Sequence, residues 1–192
     1  MENAADTTAD EHLAQRPDLA ERFVRGEKAA FDELVRIYAA PVAALAFRLL
    51  GWRGDYEDVV QDVFVAALER AGKFRSGSSL WTWLAAITVN RCRAKWRRRR
   101  ARELAAAFLP RREAEAHPSD RQAIDSETSA EVRRAVAALP AKLREVIVLH
   151  YLQEIPVDEI ARVVRASRGA VEVRLHRGRE KLRAVLATMI EE

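Results

Sequence analysis

From Asp55 to Gly72 the chain reads DYEDVVQDVFVAALERAG, and Tyr56, Val59, Val60, Val63, Phe64, Ala67 and Leu68 fall three and four residues apart. That spacing gathers them into one stripe along a helix and does not suit the two-residue period of a strand. The same period recurs at Phe31, Leu34, Val35 and Tyr38. With only seven glycines and six prolines in 192 residues, and with Ala, Leu, Arg and Glu abundant, the chain favours helices and rarely interrupts them. The expected fold class is all-α.

The interruptions mark the expected organisation. Residues 1–17 are polar and acidic and read as a disordered N-terminus, neither a signal nor a transit peptide. Asp18 is the expected cap of a short helix ending at Gly26. The next helical tract is expected to kink or restart at Pro41 and to stop at Gly51. Asp55 is the expected cap of the third, and GKFRSGSS, Gly72–Ser79, is a loop by composition. Residues 105–126 lack periodicity and read as a linker. Beyond them, TSAEVRRAVAAL stops before Pro140, and AKLREVIVLHYLQ places Leu143, Val146, Ile147 and Tyr151 on one side. The reading is two small helical domains, residues 18–104 and 127–192, joined by that linker.

Charge is segregated. Between Arg91 and Arg102 eight of twelve residues are basic and none is acidic, although the net charge is only +4. Such local density suits a polyanion. The helix carrying it, from Ser78 to Arg100, also holds three tryptophans. Trp83 shares a core stripe with Leu80, Leu84 and Ile87, while Trp81, Ala85, Val89, Cys92 and Trp96 form a second stripe nearly opposite. A helix with two apolar stripes is sandwiched between neighbours. Trp81, at the loop exit, is open to either DNA or the core.

Several functions are disfavoured. The single cysteine, Cys92, excludes an internal disulfide and any multi-cysteine zinc site, and His12, His117, His150 and His176 lack metal-ligand spacing. No phosphate-binding glycine loop or nucleophile–base arrangement is visible, so neither an enzyme nor a cofactor is expected. No apolar run suits membrane insertion, and a cytoplasmic location is expected.

PVDEIARVVR, the short break AS, and RGAVEVRLHRGREKLR follow the pattern of a helix-turn-helix. Ile160, Ala161 and Val164 point inward, Ser167 suits the cap of the second helix, and Val171, Leu175 and Leu182 bury it. Arg168, Glu172, Arg174, Arg177 and Lys181 face outward, where such motifs meet base edges and phosphates.

Taken together, the two halves resemble the sigma factors of bacterial RNA polymerase, in the extracytoplasmic-function (ECF) group of the sigma-70 family. DYEDVVQDVFVAALERAGKFRSGSSLWTWLAAITVNRCRAKWRRRR is similar to their central domain, and LPAKLREVIVLHYLQEIPVDEIARVVRASRGAVEVRLHRGREKLRAVL to their promoter-binding C-terminal domain. The resemblance implies a subunit that binds core RNA polymerase, at the clamp coiled coil and the flap, and directs promoter-specific initiation. Asp58, Gln61, Asp62 and Val65 match the clamp-docking segment. Lys73 and Phe74, with Ile87 and Asn90, match the pocket that takes a flipped base of the melted −10 strand, a task suited to stacking walls and an amide. Arg91, Arg93, Arg97 and Arg98 are the expected phosphate grip, and the outward residues of the C-terminal helix are the expected readers of the −35 duplex. The resemblance also implies an anti-sigma protein as a partner.

The chain departs from the family pattern in two places. Ala94 replaces a frequent acid four residues after Asn90, and Ala170 and Glu172 stand where many members carry Thr and Lys. Neither promoter element can therefore be inherited. The alternative is a conventional helix-turn-helix repressor or activator that binds duplex operators without the polymerase.

Overall fold

The computed structural model describes residues 17–52, 56–74, 79–106 and 127–190. The expected disordered N-terminus up to residue 16, the Asp55 cap, the tip of the loop at 75–78 and nearly all of the expected linker lie outside the described residues. The described residues form eight α-helices and no strand.

Four helices come from the first half: α1 Pro17–Val24, α2 Lys28–Leu49, α3 Glu57–Glu69 and α4 Leu80–Ala106. A short 3-10 turn, Ala71–Lys73, leads out of α3. Gly26 and Gly51 end α1 and α2 with φ of +79°, which lets each chain end fold back on its helix. Gly26 N–H donates to Phe23 O and Glu27 N–H to Arg22 O, and the same pair of bonds recurs from Gly51 to Arg48 and from Trp52 to Phe47. This is the Schellman closure, which satisfies carbonyls that a helix end leaves open.

Asp18 lies inside the first turn of α1, because the helix begins one residue earlier at Pro17, a residue suited to a first helical position. Pro41 neither stops nor restarts α2, which runs unbroken from Lys28 to Leu49. Tyr38 before the proline, and Val42 and Leu45 after it, are all fully buried. Packing on both sides carries the helix past the one hydrogen bond that proline cannot donate. Ser79 caps α4, its hydroxyl accepting from Thr82 N–H at 3.0 Å.

The second half gives α5 Glu127–Ala138, α6 Ala141–Ile147, α7 Val157–Val164 and α8 Arg168–Ile190. One turn of π-helix, Val148–Leu152, continues α6. The wider turn shifts the helical register. Val148 and Leu149 take the buried positions, and Tyr151, expected on the buried side with Leu143, Val146 and Ile147, is exposed. Gly178 lets α8 approach α6 closely; a Cβ there would lie 2.8 Å from Ile147 Cγ1.

One continuous apolar cluster spans both halves. In the first half it is centred on Leu34, Tyr38, Leu45, Val63, Leu84 and Val89, and in the second on Val146, Leu149, Ile160 and Val171. α4 is the shared wall, packed against α2 and α3 on one side and α7 on the other. The two apolar stripes seen in its sequence are therefore both used.

Candidate polymerase and nucleic-acid surfaces

The third helix buries Val59, Val63, Phe64, Ala66 and Ala67 and turns the rest of its surface outward. Asp58, Gln61, Asp62 and Glu69 are exposed, and Lys95 of α4 approaches Asp58 at 3.6 Å. Val65 is 55% exposed and Leu68 54%. Leu68 therefore leaves the core stripe assigned to it from spacing. Ala66, at the opposite edge, is buried instead, so the buried face of α3 is rotated relative to that stripe. The outcome is an apolar pair one turn apart, ringed by carboxylates and an amide, with no partner among the described residues that covers it. An apolar centre with a polar rim is the usual composition of a protein-binding face.

At the entrance to α4 the aromatic rings fall into two groups. Trp81 is buried and stacks on Tyr38 at 6.3 Å with the rings nearly parallel, so it is core and not a DNA contact in this arrangement. Trp83 meets Phe23 at 6.1 Å and Phe74 at 5.5 Å, both edge-on. Phe74 is thereby half-buried against the domain, while Lys73 beside it is exposed. Ile87 is only 4% exposed and belongs to the core, whereas Asn90, one turn further on, is partly open. Of the four residues matched to the base pocket, then, Lys73 and Asn90 offer polar groups at the surface, Phe74 a partly exposed ring, and Ile87 a buried side chain.

The basic run is likewise divided. Arg97 and Arg98 are exposed and Arg91 is partly so. Arg93 is engaged across the molecule: its Nε donates to Glu145 Oε1 at 2.8 Å and its Nη2 to Oε2 at 2.6 Å. The Glu145 carboxylate holds the Arg93 guanidinium further above its ordinary pKa, outweighing the opposing effect of burial. Arg144 is buried beside this pair, with Nη1 donating to Leu49 O, Nη2 to Leu139 O and its guanidinium 5.2 Å from the centre of the Trp96 ring. Glu159 of α7 accepts from Thr82 of α4, and Arg48 donates to Leu152 O at 2.8 Å. The two halves are thus joined by polar contacts as well as by apolar packing, and one arginine of the expected phosphate grip lies within that seam.

α7 and α8 form the helix-turn-helix. Arg165 closes α7 with φ of +55°, Ala166 N–H donating to Ala161 O and Arg165 N–H to Arg162 O. Ser167 caps α8, its hydroxyl accepting from Ala170 N–H at 3.2 Å. Val171 and Leu175 are buried, and Arg168, Glu172, Arg177 and Lys181 are exposed, with Arg174 half-buried at the margin. Val173 is 50% exposed between Glu172 and Arg174, a position that a reading of charge alone passes over. An exposed branched residue on this face has methyls to offer a thymine methyl.

A helix-turn-helix with a basic outer face, joined to a helical body carrying a second basic run, defines a DNA-binding protein. The comparisons refine the class. The profile for Sigma-70 region 2 matches residues 34–102, and that for Sigma-70, region 4, matches residues 129–182. The RNA polymerase sigma-H factor of Pseudomonas aeruginosa is 30% identical over 191 residues, covering 94% of this chain and 99% of that protein. The ECF RNA polymerase sigma-E factor of Escherichia coli is 32% identical over 173 residues, covering 85% of this chain and 90% of its own length. Among solved structures, CnrH in complex with the cytosolic domain of CnrY is 31% identical, with a TM-score of 0.64, and covers 89% of this chain and 96% of CnrH. The chain belongs to the sigma-70 family, in its ECF group.

Proposed function

We propose that this sigma factor recruits core RNA polymerase through the exposed face of α3, grips the melted −10 strand with Lys73, Phe74 and Asn90 over Ile87, and reads −35 duplex DNA with α8. The chain is then two functional domains, residues 18–104 and 127–192, acting in the cytoplasm, and the chemistry is the polymerase's own. The observation that carries this reading is the pair of outward faces on one chain: Val65 and Leu68 ringed by Asp58, Gln61 and Asp62, and the Ser167-capped helix with Arg168, Glu172 and Arg177 outside. The first suits a protein and the second suits DNA.

Docked as they are, the halves commit Arg93 Nε and Nη2 to Glu145, which competes with phosphate for that guanidinium. On this reading the docked arrangement is the less active one, and parting of the halves frees Arg93 for promoter DNA. The solved structure of CnrH is of its complex with the cytosolic domain of CnrY. An anti-sigma partner for this chain would act by favouring the docked form, since a ligand shifts a conformational equilibrium only by preferring one state.

Affinity for core polymerase tests the reading. The chain should co-elute with core enzyme, and Asp62→Ala together with Val65→Ala should weaken that association by about tenfold or more while the fold survives. A chain that binds duplex operator tightly alone and ignores core polymerase would instead be a conventional repressor or activator.

A further inference from the structure

In the helix-turn-helix, three charged side chains form a chain of contacts. Asp158 stands in the first turn of α7, Arg168 is the first residue of α8, and Glu172 lies one turn further along α8. Arg168 Nη1 donates to Asp158 Oδ2 at 2.9 Å and Oδ1 at 3.1 Å, and Arg168 Nε donates to Glu172 Oε1 at 2.9 Å. Guanine is read by two parallel donors of one arginine fork. Each such pair on Arg168 includes Nε or Nη1, and both already donate to carboxylates. Glu172, by contrast, has a second carboxylate oxygen, and it is exposed on the outward face beside Val173.

We infer that Glu172 reads a cytosine in the −35 duplex, and that Arg168 and Asp158 are positioning residues that aim its carboxylate. This rests on the −35 role proposed above for α8. A carboxylate on a DNA-facing helix is repelled by phosphate, and Arg168 offsets that repulsion locally. Glu172 and Asp158 in turn hold the Arg168 guanidinium firmly charged. Cytosine is favoured over adenine as the donor. Its major-groove edge carries the N4 amino group alone, whereas adenine adds the N7 acceptor, which opposes a second carboxylate oxygen. Arg168 is thereby assigned to orientation, and Arg177 and Lys181 remain for phosphate.

The test is run-off transcription by core polymerase reconstituted with the full chain, on templates with a randomised −35 element. The wild-type chain should prefer cytosine at one position by about tenfold over the other bases. Glu172→Ala should flatten that position and leave the others unchanged. Glu172→Gln should move the preference towards adenine, whose N6 and N7 match an amide. Asp158→Ala should blunt the same position selectively, which a purely structural role would not do. An unchanged base profile in Glu172→Ala overturns the inference, and an equal loss at every position in Asp158→Ala overturns the positioning role. Wild-type transcription that ignores the −35 sequence altogether would instead overturn the proposed role of α8.

Discussion

Arg93 and Glu145 face each other across the seam between the two halves, joined by two hydrogen bonds of 2.8 and 2.6 Å. Glu145 is only 6% exposed, and Arg93 is contributed by the basic run of α4. A side chain suited to phosphate is thereby held by the protein's own carboxylate. Replacing Glu145 by Ala removes a charge-assisted pair and should weaken the docking of the halves by about 1.5–3 kcal/mol. Small-angle scattering should then record a larger radius of gyration, and the free chain should bind promoter DNA more tightly than the wild type does. An unchanged radius with unchanged DNA affinity would show that this pair does not hold the halves together.

Gly178 is a packing position. A Cβ added there meets Ile147 at 2.8 and 2.9 Å, closer than side-chain contacts allow. Gly178→Ala should therefore destabilise the second half by about 1–3 kcal/mol, despite the better helix propensity of alanine. Urea unfolding followed by circular dichroism checks this, and a stabilised variant would mean that α6 and α8 are further apart than described.

Arg165 takes the left-handed position that closes α7, with φ of +55°. Glycine holds this conformation without the Cβ clash. Arg165→Gly should raise stability by up to about 1 kcal/mol, with the loss of unfolded-state restriction offsetting part of the gain. Thermal unfolding should give a midpoint at or slightly above that of the wild type, and a marked drop would mean that the Arg165 side chain itself supports the turn.

Cys92 is buried in the second stripe of α4, and burial, reinforced by the charge of Glu145, pushes its thiol up to about 12. The native protein should resist alkylation at pH 8 and be labelled rapidly once unfolded. The folded state keeps its proton to a higher pH than the unfolded chain does. This group's contribution is therefore steady below the unfolded value near 9 and turns unfavourable to folding as pH rises above it. Stability measured from pH 8 to pH 11 should fall, and Cys92→Ala should fall less steeply.

Much of this was legible in the sequence because helical periodicity reports burial directly. The all-α class, the closing glycines at 26 and 51 and the Ser167 cap each follow from a local rule, and each recurs in the structure. Where local rules failed, tertiary packing overrode them. Pro41 sits in an unbroken helix because buried residues flank it, and Tyr151 turns outward because a π turn adds a residue to the register. Leu68 leaves the expected stripe and Ala66, which spacing did not place in it, is buried, because the face that α3 turns to its neighbours is rotated towards Ala66. The seam was invisible for a different reason. Arg93 and Glu145 are 52 residues apart, and nothing in the basic run singles out which arginine turns inward.

As proposed, this chain gives core polymerase its promoter choice, and on that proposal Asn90 reads sequence while Arg97 and Arg98 grip phosphate without regard to it. Run-off transcription on promoters varied through the −10 element tests that division most directly. Transcripts should appear only when core enzyme and chain are combined. Asn90→Ala should lose preference at a single −10 position, by about 1–3 kcal/mol of discrimination. Arg97→Ala with Arg98→Ala should lower all promoters alike and flatten the salt dependence. Promoter-independent output from the complete system, or a promoter-selective loss on removing the two arginines, would contradict it.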